Sequence, residues 1–196
     1  MSTSSMRSAE RKARSLFAYL KSGRRLFISE VGDELWWSDS FIMLKVDEGV
    51  TTLLADYNLE PEPMVCEIGR TIVRTDNKPA GMAELLARST PKRGMVDVAP
   101  LEFGGRTLTV DTGSAVEELW STDGTTVTHR LNTDLVARVQ AAGGDRFRTV
   151  PPDTPDGLPK PLVRYNGRDP IGLLMPIRGV VGSLGIDLQS EQAAAA

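Results

Sequence analysis

The stretch Thr125-Thr126-Val127-Thr128-His129-Arg130-Leu131-Asn132-Thr133-Asp134-Leu135-Val136-Ala137-Arg138-Val139 changes character midway. Its first five residues are rich in β-branched side chains and read as a strand. Asn132 then supplies a side-chain acceptor for the free N–H groups of a helix start. Asp134 places a carboxylate in the first turn, where the helix dipole favours negative charge. Leu131, Leu135, Val139 and Ala142 share one face, and Gly143-Gly144 stops the helix. A strand that feeds directly into a helix predicts a mixed α+β chain.

Downstream, Arg146 to Val150 reads as a strand and Pro151 to Pro161 as a Pro-rich loop. Leu162 to Tyr165 and Ile171 to Met175 form the last two strands, joined at the turn Asn166-Gly167. Upstream, Thr107 to Val110, Ala115 to Trp120 and Thr125 to His129 read as three strands. Asp111-Thr112-Gly113 and Thr122-Asp123-Gly124 are the turns between them. Trp120 and Tyr165 are read as sheet packing.

Three further strands stand near the start: Leu26 to Ser29, Glu34 to Ser38 and Ser40 to Val46, with a turn at Val31-Gly32-Asp33-Glu34. Adjacent residues of a strand point to opposite faces, so Trp36 and Trp37 put one ring on each. One is expected in the core, the other exposed or covered by a partner. Residues 50–105 are broken by Pro61, Pro63, Pro79, Pro91 and Pro100. Val65 to Ile68 and Thr71 to Arg74 read as short strands, and Gly81 to Ser89 as a short helix.

Residues 6–22 read as an amphipathic helix, with Met6, Ala9, Ala13, Leu16, Phe17 and Leu20 at spacings of three and four. At roughly 100° per residue, Arg7, Arg11, Arg14, Lys21 and Arg25 project within about 40° of one line on the other side. Such a row of cations suits a phosphate backbone, because each contact releases counterions without reading bases. The same row also serves as a plain solvated face.

The 196 residues carry a net charge of −3, so any nucleic-acid contact must be local. One cysteine, Cys66, excludes an internal disulfide and points to a reducing, cytoplasmic setting. No apolar run reaches the roughly 18 residues a membrane helix needs, and the polar, basic start lacks the core of a secretory signal.

Catalysis finds little support. His129 is the only histidine and is expected on half-exposed sheet surface; a catalytic triad would need it beside a serine and a carboxylate. Cys66 reads as a small apolar residue. One His and one Cys do not build a structural zinc site. Asp47-Glu48, Glu60/Glu62 and Glu117-Glu118 read as solvated acidic faces. Gly104-Gly105 and Gly143-Gly144 lack the spacing and lysine of a phosphate loop. No cofactor or metal is expected, and the chain is not read as an enzyme.

The strand entering an Asn-started helix, with a late strand Gly172-Leu173-Leu174-Met175-Pro176-Ile177-Arg178, resembles the last quarter of a bacterial β-type DNA sliding clamp. Glu34-Leu35-Trp36-Trp37-Ser38-Asp39-Ser40-Phe41-Ile42-Met43-Leu44-Lys45 is similar to a clamp strand reversing at an Asp-containing turn. The likeness covers about fifty residues well and the rest by pattern. It implies antiparallel sheets with two amphipathic helices packed on one face, and one domain over residues 1–182 with an elaborated middle at about 50–105. Residues 183–196 are expected to form a mobile tail. Two abbreviated domains split near residue 100 are the alternative.

The resemblance further implies a DNA replication processivity factor that binds duplex DNA without sequence preference and tethers a polymerase. A homo-oligomer and a viral or mobile-element source fit so short a chain. Arg7, Arg11, Arg14, Lys21, Arg25 and Arg138 would then face DNA. Leu173, Leu174, Met175, Pro176, Ile177 and Arg178 would bind a partner peptide. Two alternatives stay open: a clamp-like monomeric adaptor that binds a replication protein without encircling DNA, and an unrelated α+β interaction protein.

Overall fold

The computed structural model describes residues 25–68, 72–75, 81–151 and 158–177. The expected opening helix at 6–22 and the tail at 183–196 lie outside the described residues. In chain order the elements are β1 (Arg25–Val31), β2 (Glu34–Ser38), β3 (Ile42–Lys45), α1 (Glu48–Ala55), β4 (Met64–Ile68) and β5 (Ile72–Thr75). Then come α2 (Met82–Ser89), β6 (Val96–Pro100), β7 (Glu102–Phe103), β8 (Arg106–Thr107), β9 (Thr109–Asp111) and β10 (Val116–Ser121). The last are β11 (His129–Asn132), α3 (Thr133–Ala141), β12 (Arg146–Thr149), β13 (Leu162–Asn166) and β14 (Asp169–Leu174). The fold is α+β and antiparallel throughout its sheet.

Twelve of these strands form one sheet in the order β11-β10-β6-β12-β13-β14-β3-β2-β1-β4-β5, with β9 also on β10; β7 and β8 make a separate hairpin. Strand β6 joins two parts of the sheet. Its start, Val96 to Val98, pairs with β12, whereas Ala99 and Pro100 pair with β10. Trp120 of β10 meets Phe147 of β12 edge-on behind that corner, with centroids 5.1 Å apart. Such a pair adds about 0.5–1.5 kcal/mol beyond the area it buries.

The central strands are buried on both faces, which explains their unbroken apolar runs. On one face Leu26, Ile28, Trp37, Ile42, Leu44 and Leu174 pack beneath Val50, Leu53 and Leu54 of α1 and Leu135, Val136 and Val139 of α3. On the other, Trp36, Met43 and Leu173 pack beneath Met82 and Leu86 of α2. The two tryptophans do take opposite faces, but both are buried, at 1% and 3% exposed. The ring expected to be exposed or held by a partner is covered by the chain's own α2.

Helix α1 was not expected. Asp47 caps it, its Oδ1 accepting from Val50 N at 3.1 Å, and Val50, Leu53 and Leu54 have helical spacing. Gly49 and the β-branched pair Thr51-Thr52 weaken the local signal. Another difference is the strand expected at Thr125 to His129, which starts at His129 instead. Asp123 Oδ1 accepts from Thr126 N at 2.7 Å and Thr125 N at 2.8 Å, and Ser121 Oγ donates to it at 2.8 Å. Those bonds wind residues 123–126 into a turn and hold the carboxyl below its ordinary pKa.

Helix α3 lies close on the sheet because β14 carries Gly172. A Cβ there would stand 2.6 Å from Leu44 Cδ2 and 3.3 Å from Val139 Cγ1. Gly172→Ala is expected to destabilise the protein by about 1–3 kcal/mol, the usual cost of overpacking, measured by urea denaturation. Trp36→Ala should cost about 3–5 kcal/mol. A loss below about 0.5 kcal/mol, normal for a surface change, would contradict its burial under α2.

Candidate interaction surface

The Asn-started helix forms as expected. Asn132 Oδ1 accepts from Asp134 N at 3.0 Å and Leu135 N at 3.2 Å. Its far end is pinned by Arg164, which lies over the Phe147 ring and donates to the Gly143 and Gly144 carbonyls, both at 2.8 Å. Between α3 and the start of α1 opens a cleft of about 110 Å³. Trp37, Ile42 and Leu44 line it from the sheet, Val50 from α1, and Arg138 and Ala141 from α3. Arg138, expected to face DNA, thus stands at this cleft, half-buried.

Lys45 also borders the cleft, but its ammonium is committed elsewhere. It lies 5.7 Å from the Trp36 ring centroid and donates to Glu34 Oε1 and Asp169 Oδ2, both at 2.8 Å. Burial works against its charge, yet the two carboxylates outweigh burial and raise its pKa. Arg25 starts β1 on the surface and pairs with Glu67 at 2.9 Å. Exposed pairs of this kind add about 0–1 kcal/mol. Arg7, Arg11, Arg14 and Lys21 lie outside the described residues.

The helix layer that is described carries little positive charge. Asp47, Glu48 and Asp56 surround α1, and α3 sets Asp134 against Arg138.

The proposed peptide-binding segment divides. Leu173 and Leu174 are both 0% exposed, on opposite faces of the sheet. They are core residues and do not line a surface pocket, because β14 lies between β13 and β3 with a layer over each face. Met175, Pro176 and Ile177 are half-buried, and Arg178 lies outside the described residues. Beyond β14 the chain acts as a strap. Met175 N donates to Phe41 O at 2.8 Å and Ile177 N to Arg130 O at 3.0 Å.

The strap exposes what sequence reasoning did not single out. Phe41 is 47% exposed at the β2–β3 turn. Asp39 shapes that turn, its Oδ1 accepting from Phe41 N and Ile42 N at 2.9 Å each, with Ser40 at φ 81°. An aromatic ring is thereby held beside the strap. At the strap's other end Arg130 pairs with Glu117 at 2.6 Å. Glu117 is buried, not a solvated acid as expected. Breaking a buried pair by removing one partner costs about 3–5 kcal/mol.

His129 is also corrected. It is 0% exposed rather than half-exposed, with Nδ1 3.0 Å from Thr128 Oγ1. Its strand, at the end of the sheet, packs against α3. Burial, only partly offset by the Lys160 backbone, lowers its pKa to about 4. Cys66 is buried too, as expected for a small apolar residue. Among the described residues, no group of three or more His, Cys, Asp or Glu side chains is placed to hold a metal ion.

The buried imidazole has a pH consequence. Between pH 6.5 and about 4 the unfolded chain binds a proton at His129 that the folded chain does not. Stability is therefore full above pH 6.5 and falls as the pH drops toward 4. The loss amounts to roughly 3 kcal/mol, at 1.36 kcal/mol per pKa unit. Urea midpoints across that range should show the slope, and His129→Leu should flatten it; an unchanged slope would assign it to the carboxylates.

Comparison with protein-family models, with curated proteins and with solved structures finds no match to this chain.

Proposed function

We propose that this chain is a clamp-like, non-enzymatic DNA replication factor. It touches duplex DNA without sequence preference and tethers a polymerase or another replication protein. The observation that carries the reading is that α1 and α3 lie together on one face of a continuous antiparallel sheet, although α2 covers the other face, which a clamp-like layer of helices on one face does not include. The order strand, Asn-capped helix, three strands from His129 to Leu174 supports it. The DNA-facing charge would be Arg7, Arg11, Arg14 and Lys21; Arg25, expected in the same row, belongs instead to strand β1 and pairs with Glu67. The overall negative charge of the chain would keep the rest of its surface off DNA.

The partner site moves with the corrections above. Exposed Phe41 and the half-buried strap residues Met175, Pro176 and Ile177, joined through the Met175 N to Phe41 O bond, offer apolar side chains suited to a short hydrophobic peptide. Closing a ring around DNA requires several copies, so a homo-oligomer belongs to this reading. A second reading, a monomeric adaptor that binds a replication protein without encircling DNA, is favoured by the weakly charged α1 and α3. No helix of the described residues is long and apolar enough to cross a membrane.

Four phosphate contacts give a log–log salt dependence of about −3 to −4. Arg11→Glu with Arg14→Glu should reduce that slope by about 2 and weaken binding equally on all duplex sequences. A closed oligomer by light scattering, retained on circular DNA and lost when the circle is cut, is the outcome expected of a ring. Monomers that bind no DNA yet capture a polymerase would replace this reading with the adaptor. An unaltered affinity in the double variant would remove DNA from the account altogether.

A further inference from the structure

Strand β12 carries two arginines that the proposed function leaves unused. Arg146 and Arg148 are two positions apart on one strand, so they share a face and stand about 6.8 Å from each other. Val163 is opposite Arg148 and also opposite Leu173, which packs beneath α2. Both arginines therefore stand on the α2 side of the sheet, the side away from α1 and α3. Helix α2 lies over Trp36, Met43 and Leu173 of β2, β3 and β14. Beyond it Arg146 is exposed and Arg148 half-buried. Arg146 donates to the Gly167 carbonyl at 2.5 Å and Arg148 to the Met95 carbonyl at 2.7 Å. Burial raises the pKa of Tyr165 beside them, and the nearby charges of Arg148 and Arg146 work against that rise.

The two accepting carbonyls bring further cations to the same row. Arg168 follows Gly167 in the β13–β14 turn and is exposed. At the other end Lys92 and Arg93 are exposed just before Met95, and two residues of chain span at most about 7 Å. The carboxylates are fewer. Asp97 stands 3.2 Å from Arg148 Nε and Asp145 3.8 Å from Arg146, while Asp169 is tied to Lys45. Five cations against Asp97 and Asp145 leave a net of three positive charges. A guanidinium has five N–H donors, and the contacts of Arg146 and Arg148 leave most of them for another acceptor. The cations come from three separate stretches of the chain, so no basic run announces them.

We propose that Arg168, Arg146, Arg148, Arg93 and Lys92 bind the phosphate backbone of a single-stranded nucleic acid laid along β12. The row follows a straight strand, which an extended phosphate chain can track, whereas each backbone of a duplex curves away from a flat face. Guanidinium groups already held by carbonyls lose little freedom when they take a phosphate. Tyr165 is only 8% exposed and offers no ring for bases to stack on. The contact is therefore with phosphates and carries no base preference. The row is a local exception to the negative charge of the chain, and its field acts over about 8 Å at physiological salt. The inference is independent of any DNA binding by the opening segment.

The test is fluorescence anisotropy of the full chain with a labelled oligothymidylate across a salt series. Each phosphate contact on a single strand contributes about −0.7 to the log–log slope, so five give about −3.5. Lys92→Glu with Arg93→Glu should bring the slope to about −2, and Arg168→Glu to about −3. All three positions are exposed, and an unchanged urea midpoint confirms that the variants fold. A slope that either variant leaves unaltered overturns the proposal, as does a failure to bind at low salt. Tighter binding of a duplex of the same length would reject the single strand. Displacement of the oligonucleotide by an equal charge of polyglutamate would give the row to an acidic peptide and defeat the proposal. Binding that is lost in Arg11→Glu with Arg14→Glu would assign the strand to the opening segment and defeat it equally.

Discussion

The whole arrangement depends on a sheet whose central strands are covered from both sides. Ile42, Met43 and Leu44 send side chains alternately toward the α1–α3 layer and toward α2, and Leu173 and Leu174 do the same one strand away. Each layer excludes water from what would otherwise be an exposed apolar face, worth about 25 cal/mol per Å² of surface removed. Gly172 sets how closely α3 can settle, since any side chain there would strike Leu44 and Val139. That close approach seats α3 against Leu44, which also lines the cleft beside it. The geometry of the candidate surface is thus a by-product of packing.

Around this core, polar groups do local work that apolar burial cannot. Asn132, Asp47, Asp39 and Asp123 each satisfy backbone N–H groups at a helix start or turn. Unmet donors in such places would cost more than the bonds themselves gain. Glu117 and Arg130 form a charged pair across neighbouring strands, and the Arg130 carbonyl takes the end of the strap. The strap thereby ties β14 to β11, two strands at separate places in the sheet order. This closure holds Met175 to Ile177 against the body while leaving Phe41 at the surface.

Electrostatics and packing point to different parts of the chain for different work. The described helix layer supplies shape and an apolar cleft but little positive charge. The cations that suit a polyanion are concentrated before β1.

Local chemistry was legible in the sequence alone: the Asn132 cap, the glycine turns, the strands 34–38, 162–166 and 146–149, and the short helix before Ser89 were all readable from neighbours within a few positions. Helix α1 escaped because Gly49 and Thr51-Thr52 mask a sound cap and spacing. Of the candidate site, the sequence marked Met175 to Ile177 but gave no sign that Leu173 and Leu174 are core, that Phe41 flanks the strap, or that Arg138 borders a cleft. It likewise placed Glu117 and His129 at or near the surface, and one ring of the Trp36–Trp37 pair outside the core. Those outcomes belong to the tertiary structure. Period and capping report what a residue does with its own neighbours, whereas burial is set by distant segments, here α2 over Trp36 and the Lys160 backbone beside His129.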